Sequence, residues 1–169
     1  RRDVKGIGWN PEILFKNPKQ EEAIKQKEGV MVSTYDTLKQ DANLQKGKTE
    51  SRVDQIINWV GEAFEGVIVF DEAHNAANAL DLVQVKRGVK KASQKATAVV
   101  ELQNRLPKAR VLYVSATGAT EVANLAYATR LGLWGEGTSF ARVSDFINEI
   151  NAGGMAAMEV VARDLKAGG

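Results

Sequence analysis

Two adjacent carboxylates and a histidine stand together at Asp71-Glu72-Ala73-His74, and this histidine is the only one in the 169-residue sequence. They follow directly on Val67-Ile68-Val69-Phe70, a continuous apolar run of the kind that fills the middle of a parallel sheet. Open parallel sheets bind their ligands just beyond the carboxyl ends of the strands. Asp71, at the strand end, suits a carboxylate that positions Mg2+ through retained waters. Glu72 suits the group that orients or deprotonates an attacking water. Hydrolysis of a nucleoside triphosphate needs that pair. An Asp capping the next helix beside an exposed Glu would share the same letters; the apolar strand before them favours the hydrolytic reading.

Two further strand ends carry hydroxyls. Val111 to Val114 reads as a strand ending in Ser115-Ala116-Thr117, a weak tripeptide alone, since Ser and Thr are common at strand ends and helix caps. Val30 to Thr34 reads as a short strand followed by Tyr35 and a helical segment around Asp36 to Ala42. Thr34 and the amides of that helix start suit a phosphate, because helix N-termini favour anions. Tyr35 either stacks on a base or packs into the core. Gly47-Lys48-Thr49 imitates the end of a phosphate-binding P-loop, but that motif requires Gly where this chain has Ala42. It also lacks an immediately preceding buried strand, so it reads as a polar turn.

The elements that must position these groups are legible from periodicity and caps. Asn17-Pro18-Lys19-Gln20 has the form of a helix start, with a helix expected to about Glu28 and Gly29 ending it. Lys46 to Glu50 reads as a loop, and Ser51 as the cap of a helix whose Val53, Ile56, Ile57 and Val60 share one face. A helix over about Thr97 to Leu106, stopped by Pro107, connects the strand at Val67 to the strand at Val111. Thr120 is expected to cap a helix ending near Gly132, and two more helices follow over about Ser144 to Asn151 and Met155 to Lys166. Strands separated by helices of this length predict an α/β fold: a three-layer α/β/α arrangement with a parallel sheet.

Composition sets outer limits. Apolar residues make up 44% of the chain, enough for a real core, and three prolines do not suggest disorder. No apolar run is long enough to cross a bilayer, so no membrane partner is expected. With no cysteine, disulfides and thiolate metal sites are excluded. A net charge of +2 is too small to indicate nucleic-acid binding by itself. The basic stretch Lys86-Arg87-Gly88-Val89-Lys90-Lys91 with Lys95 reads as a solvated loop or a phosphate contact. The chain opens on Arg1 and closes on Gly169, and both ends read as cuts through a longer polypeptide.

Taken in order along the chain, Thr34-Tyr35, Asp71 to His74 and Ser115 to Thr117 resemble motifs of superfamily 2 helicases of the DEAH type. The resemblance implies that His74, Ser115 and Thr117 couple the hydrolysis site to movement along nucleic acid, and that Thr34 and Tyr35 touch the track. Longer phrases resemble the Strawberry notch helicase-like family: Ser51-Arg52 through Gly61, Asp71 to Asn78, Glu101 to Pro107, Tyr113 to Ala119, Arg130 to Thr138 and Gly153 to Lys166. That likeness implies that residues 1–169 are the C-terminal portion of a first RecA-like domain of a P-loop NTPase. A true P-loop would lie upstream and a second RecA-like domain, in cis, downstream.

The implied cofactors are ATP and Mg2+, with Asp71 at the metal and Asp71 and Glu72 as the catalytic pair. The implied partner is nucleic acid, DNA in preference to RNA, beside a fused or neighbouring DNA-modifying domain. A bacterial or phage member, cytoplasmic in its host, is expected; a eukaryotic one would be nuclear. By itself the chain is expected neither to bind ATP tightly nor to hydrolyse it. Two other readings stay open: a non-catalytic scaffold that binds transcription or DNA-modification partners, and an unrelated P-loop ATPase.

Overall fold

The computed structural model describes residues 14–77, 93–115 and 122–168, in two units, residues 1–61 and residues 62–169. In the first unit, strands β1 (Leu14–Lys16) and β2 (Val30–Val32) pair in parallel, with Phe15 opposite Met31. One turn of helix, α1 (Tyr35–Leu38), follows β2, capped by Thr34. Helix α2 (Arg52–Val60) starts at the expected cap: the Ser51 hydroxyl accepts from the Asp54 amide, and the Asp54 carboxylate accepts from the Ser51 amide. This reciprocal box satisfies two amides that the helix itself leaves without partners. Val53, Ile56 and Ile57 are buried along the apolar face, and Gly61, at a φ of 77°, ends the helix.

No helix forms over residues 18–28. Glu21 is left-handed at a φ of 74°, and the carbonyls a helix would use internally go to side chains of α2. Arg52 Nη1 donates to Pro18 O at 2.7 Å, and Gln55 Nε2 donates to Lys19 O and Glu22 O at 2.9 and 2.7 Å. Gln20 Nε2 reaches Asp41 O and Glu50 O, while the Glu21 carboxylate accepts from Thr49 Oγ1 and the Glu50 amide. Those two bonds hold the Glu21 carboxyl below its ordinary range. Tertiary hydrogen bonds have replaced the local ladder that Asn17 and Pro18 advertise. The segment after α1 is also shorter than expected, because Gln40 O accepts the Arg52 amide at the entry to α2. Gly47-Lys48-Thr49 is a closed turn: Gly47 ends a 3-10 turn over Leu44–Lys46, and Lys48 bridges back to Asn43.

In the second unit, strand β3 (Val67–Phe70), helix α3 (Gln94–Arg105) and strand β4 (Arg110–Tyr113) form a parallel crossover, with Val67 opposite Arg110 and Phe70 opposite Tyr113. Ser93 caps α3, which starts at Gln94, three residues ahead of the expected Thr97. Its Val99 and Leu102 are buried, Leu106 caps its end, and Pro107 follows. The apolar run of β3 is not buried throughout. Phe70 is 5% exposed, whereas Val67 and Val69 are 59% and 55% exposed and share their open face with Leu112.

The expected helix from Thr120 to Gly132 is a second departure. Thr120 lies outside the described residues, and beyond it a 3-10 turn over Val122–Leu125 gives way to turns. One cause is visible: Tyr127 O, which would accept the residue 131 amide in a helix, is taken by Gln103 Nε2 at 2.9 Å. Helix α4 (Val143–Gly168) contains the two expected helices end to end, interrupted at Gly154, whose φ of 60° and ψ of −146° only glycine adopts easily. Its first part seats Phe146 against Trp134 and Phe140. The described residues thus hold parallel strand pairs, one in each unit, of a partial RecA-like fold.

Candidate functional site

Asp71 and Glu72 lie immediately beyond β3, and Ser115 lies two residues beyond the last residue of β4. The backbone ladder continues past both strands to hold them side by side. Val114 N donates to Phe70 O and Ala73 N donates to Val114 O, both at 2.9 Å. A 3-10 turn over Ala73–Ala76 then packs on α3, its Ala73 and Ala76 fully buried, as only small side chains allow at so close an approach.

This frame brings three predicted groups together. His74 Nδ1 lies 3.2 Å from Ser115 Oγ and 3.3 Å from Glu72 Oε2. One ring nitrogen therefore faces two oxygens. Protonated, Nδ1 donates to the carboxylate; unprotonated, it accepts the serine proton. The side chains of His74 and Glu72 are 47% and 54% exposed, so their pairing contributes at most about 1 kcal/mol to stability. Asp71 Oδ1 accepts from the Glu72 amide at 3.0 Å.

Glu72 itself is left-handed, with φ 48° and ψ 49°. For a side chain with a Cβ that conformation costs on the order of 1–2 kcal/mol. The chain has to turn from β3 into the 3-10 turn between two fixed ladder bonds, at Phe70 and Ala73, and Glu72 supplies the reversal. Nothing in the residue types announces this, because Glu has no preference for the region.

Thr34 and Tyr35 belong to the first unit. The Thr34 hydroxyl is used locally: it accepts from the Thr37 amide at 3.1 Å and bonds Thr37 Oγ1 at 3.0 Å, capping α1. Tyr35, the first residue of α1, is half-buried. Thr117, Asn78 and the stretch Lys86 to Lys91 lie outside the described residues; Lys95 sits in the first turn of α3.

A second cluster was not foreseen as a cluster. Gln103 on α3 is fully buried, and its Oε1 accepts from the Tyr113 hydroxyl and from Thr129 Oγ1. Its Nε2 donates to Val99 O and Tyr127 O. The Arg130 guanidinium closes the end of α3 by donating to Gln103 O, Leu106 O and Pro107 O, and the Arg130 amide donates to Tyr113 Oη. Burial pushes the Tyr113 hydroxyl up to about 12, against the pull of the Arg130 amide and guanidinium. Tyr113 also stacks on Phe70 and meets Tyr127 edge-on. The sequence signal was present in the phrases around Gln103 and Arg130, which carried family likeness without a physical role.

A carboxylate pair and a serine-linked histidine at the carboxyl ends of adjacent parallel strands are the furniture of a P-loop NTPase domain. The family model for the P-loop containing NTP hydrolase pore-1 domain matches residues 1–169. Within that class the chain belongs to the Strawberry notch family. It is 49% identical over 140 residues to Protein strawberry notch of Drosophila melanogaster, covering 83% of this chain and 8% of that protein. It is equally similar to Protein strawberry notch homolog 1 of Homo sapiens, of which the match covers 10%. With Protein FORGETTER 1 of Arabidopsis thaliana it shares 43% identity over 143 residues, 85% of this chain and 10% of that one. The chain therefore spans about a tenth of the length of these relatives. They are eukaryotic, and the expectation of a bacterial or phage member gains no support from them. No solved structure matches the chain. Among the described residues, no helix is long and apolar enough to cross a membrane.

Proposed function

We propose that this chain is part of the motor core of a nucleic-acid-dependent ATPase of the DEAH type in superfamily 2, and that residues 1–169 are the later part of its first RecA-like domain. The observation that carries the reading is His74 Nδ1 set between Glu72 Oε2 and Ser115 Oγ at the ends of two parallel strands. Glu72 orients the attacking water and takes its proton. His74 reports the state of Glu72 to Ser115, because its one Nδ1 cannot donate to the carboxylate and accept from the hydroxyl at once. Ser115 and Thr117 pass that change to the nucleic-acid track, which Thr34 and Tyr35 contact, with DNA preferred to RNA.

The residues present fit Mg2+. Asp71 and Glu72 are exposed, hard oxygen donors, and this ion keeps several waters and takes one or two carboxylates plus substrate phosphates. Asp71 would hold the ion, which when bound neutralises charge on the phosphates of ATP. A P-loop elsewhere in the protein would cradle those phosphates, and a second RecA-like domain in cis would contribute arginine. A eukaryotic member would act in the nucleus, with DNA-modification or transcription machinery as its neighbours.

The test is ATP turnover by the longer protein that contains this chain, with and without DNA or RNA, beside its Glu72→Gln variant. Stimulated turnover that falls by roughly 10²–10⁴ in the variant is expected, the usual range for losing a general base. No turnover in a folded wild type would instead favour a non-catalytic scaffold.

A further inference from the structure

Glu72 is held in its left-handed conformation from one side by a residue that has no part in the chemistry above. Two donors of Asn75 converge on Glu72 O: the backbone amide at 2.9 Å and the side-chain Nδ2 at 3.0 Å. The first is the ordinary bond of a 3-10 turn; any residue except proline would make it. The second belongs to the asparagine. On the other side, Glu72 N is tied to Asp71 Oδ1 at 3.0 Å, so both flanking peptides are fixed and the residue between them has little freedom.

The direction in which the Glu72 carboxylate points depends on this. With the carbonyl turned toward Asn75, the carboxylate lies 3.3 Å from His74 Nδ1. Relaxed into the more favourable extended region, the same residue would carry the line of β3 onward. Asn75 is exposed, so its side-chain bond competes with water and adds little to the stability of the fold. Its effect is on the population of one backbone conformation at one residue.

We infer that Asn75 is a positioning residue for the water-activating Glu72, fixing the peptide that aims its carboxylate. This rests on the proposed hydrolytic role of Glu72. Asn75 itself touches neither substrate nor metal in this role. The expected effect of removing its side chain is the loss of one hydrogen bond's bias, about tenfold in rate.

The experiment uses the longer protein and compares wild type, Glu72→Gln, Asn75→Ala and Asn75→Ser. A serine hydroxyl at this position can still donate to the carbonyl three residues back. The expected result is a kcat about tenfold lower in Asn75→Ala, with KM for ATP and the melting temperature unchanged, and most of the rate restored in Asn75→Ser. If wild-type turnover is lost in Glu72→Gln but intact in Asn75→Ala, the inference falls and the hydrolytic role of Glu72 stands. Asn75→Ala and Asn75→Ser that are equally impaired, or a loss that lies in KM, would also overturn it. A folded wild type without turnover removes the hydrolytic role and the positioning role together.

Discussion

Tyr113 and Ser115 are separated by a single residue at the end of β4, and they serve two clusters of opposite character. Ser115 joins Glu72 and His74 in an exposed group of long contacts at 3.2 and 3.3 Å. Tyr113 joins half-buried Thr129 and exposed Arg130 around the fully buried Gln103, both ends of whose amide are satisfied. Water is a ready substitute partner in the first group and is excluded from Gln103 at the centre of the second. The same chemical deletion therefore has different consequences on the two sides of Val114. In the exposed cluster it should change what the molecule does; in the buried one, how well it stays folded.

The comparison is tested most strongly by Glu72→Gln. The large fall in turnover expected of it should come with almost no change in melting temperature, because an exposed ion pair is worth at most about 1 kcal/mol. A substantial loss of stability would mean that the cluster is structural after all.

Gln103→Leu is the matching attack on the other side. It removes one partner each from the Tyr113 and Thr129 hydroxyls and from Tyr127 O while keeping a side chain of similar bulk. Buried polar groups left unsatisfied cost about 1–3 kcal/mol each, and relaxation should hold the total to about 3 kcal/mol. Chemical denaturation would measure it, and a change below about 0.5 kcal/mol would dissolve the distinction.

Alkaline pH probes the same network without mutation. The Tyr113 hydroxyl titrates near 10 in an unfolded chain and is pushed up to about 12 in the folded one, first by burial. The fold thus favours the protonated phenol. Its contribution is fully present below pH 10 and is lost as pH rises through about 12. Unfolding midpoints followed from pH 9 upward should fall across that window in wild type, and fall less steeply in Tyr113→Phe.

What could be read from the sequence divides along a similar line. The Ser51 cap, the α3 stop at Pro107 and the separation of two helices between Asn151 and Met155 are local signals, set by residues within a few positions of one another, and the structure contains all of them. The joining of His74 to Ser115 followed from a family likeness and is present in the geometry. The helix expected from Asn17 to Glu28 failed because Arg52 and Gln55 take its carbonyls from a distance in sequence that no cap signal reaches. The helix expected before Gly132 is opposed in the same way by Gln103, whose type says only that it is polar. Strand β1 is three residues long, too short for a periodicity to show. The left-handed Glu72 was invisible for a different reason: the turn that imposes it is defined by ladder bonds on either side, not by the residue.

The finest test removes one hydroxyl from each cluster. Tyr113→Phe deletes a group that donates to buried Gln103 Oε1 and accepts from the Arg130 amide, leaving both without that partner. The expected cost is about 1–2 kcal/mol. Ser115→Ala deletes a group 3.2 Å from an exposed imidazole that water can serve equally well. Its effect on stability should lie within about 0.5 kcal/mol. The two variants differ by one oxygen each, at positions on either side of Val114, so propensity and strand register are nearly matched between them. Equal losses in denaturation would show that distance from the strand end, rather than burial, sets the energetics here. The expected inequality is a stability that falls only in Tyr113→Phe, as burial of Gln103 Oε1 requires.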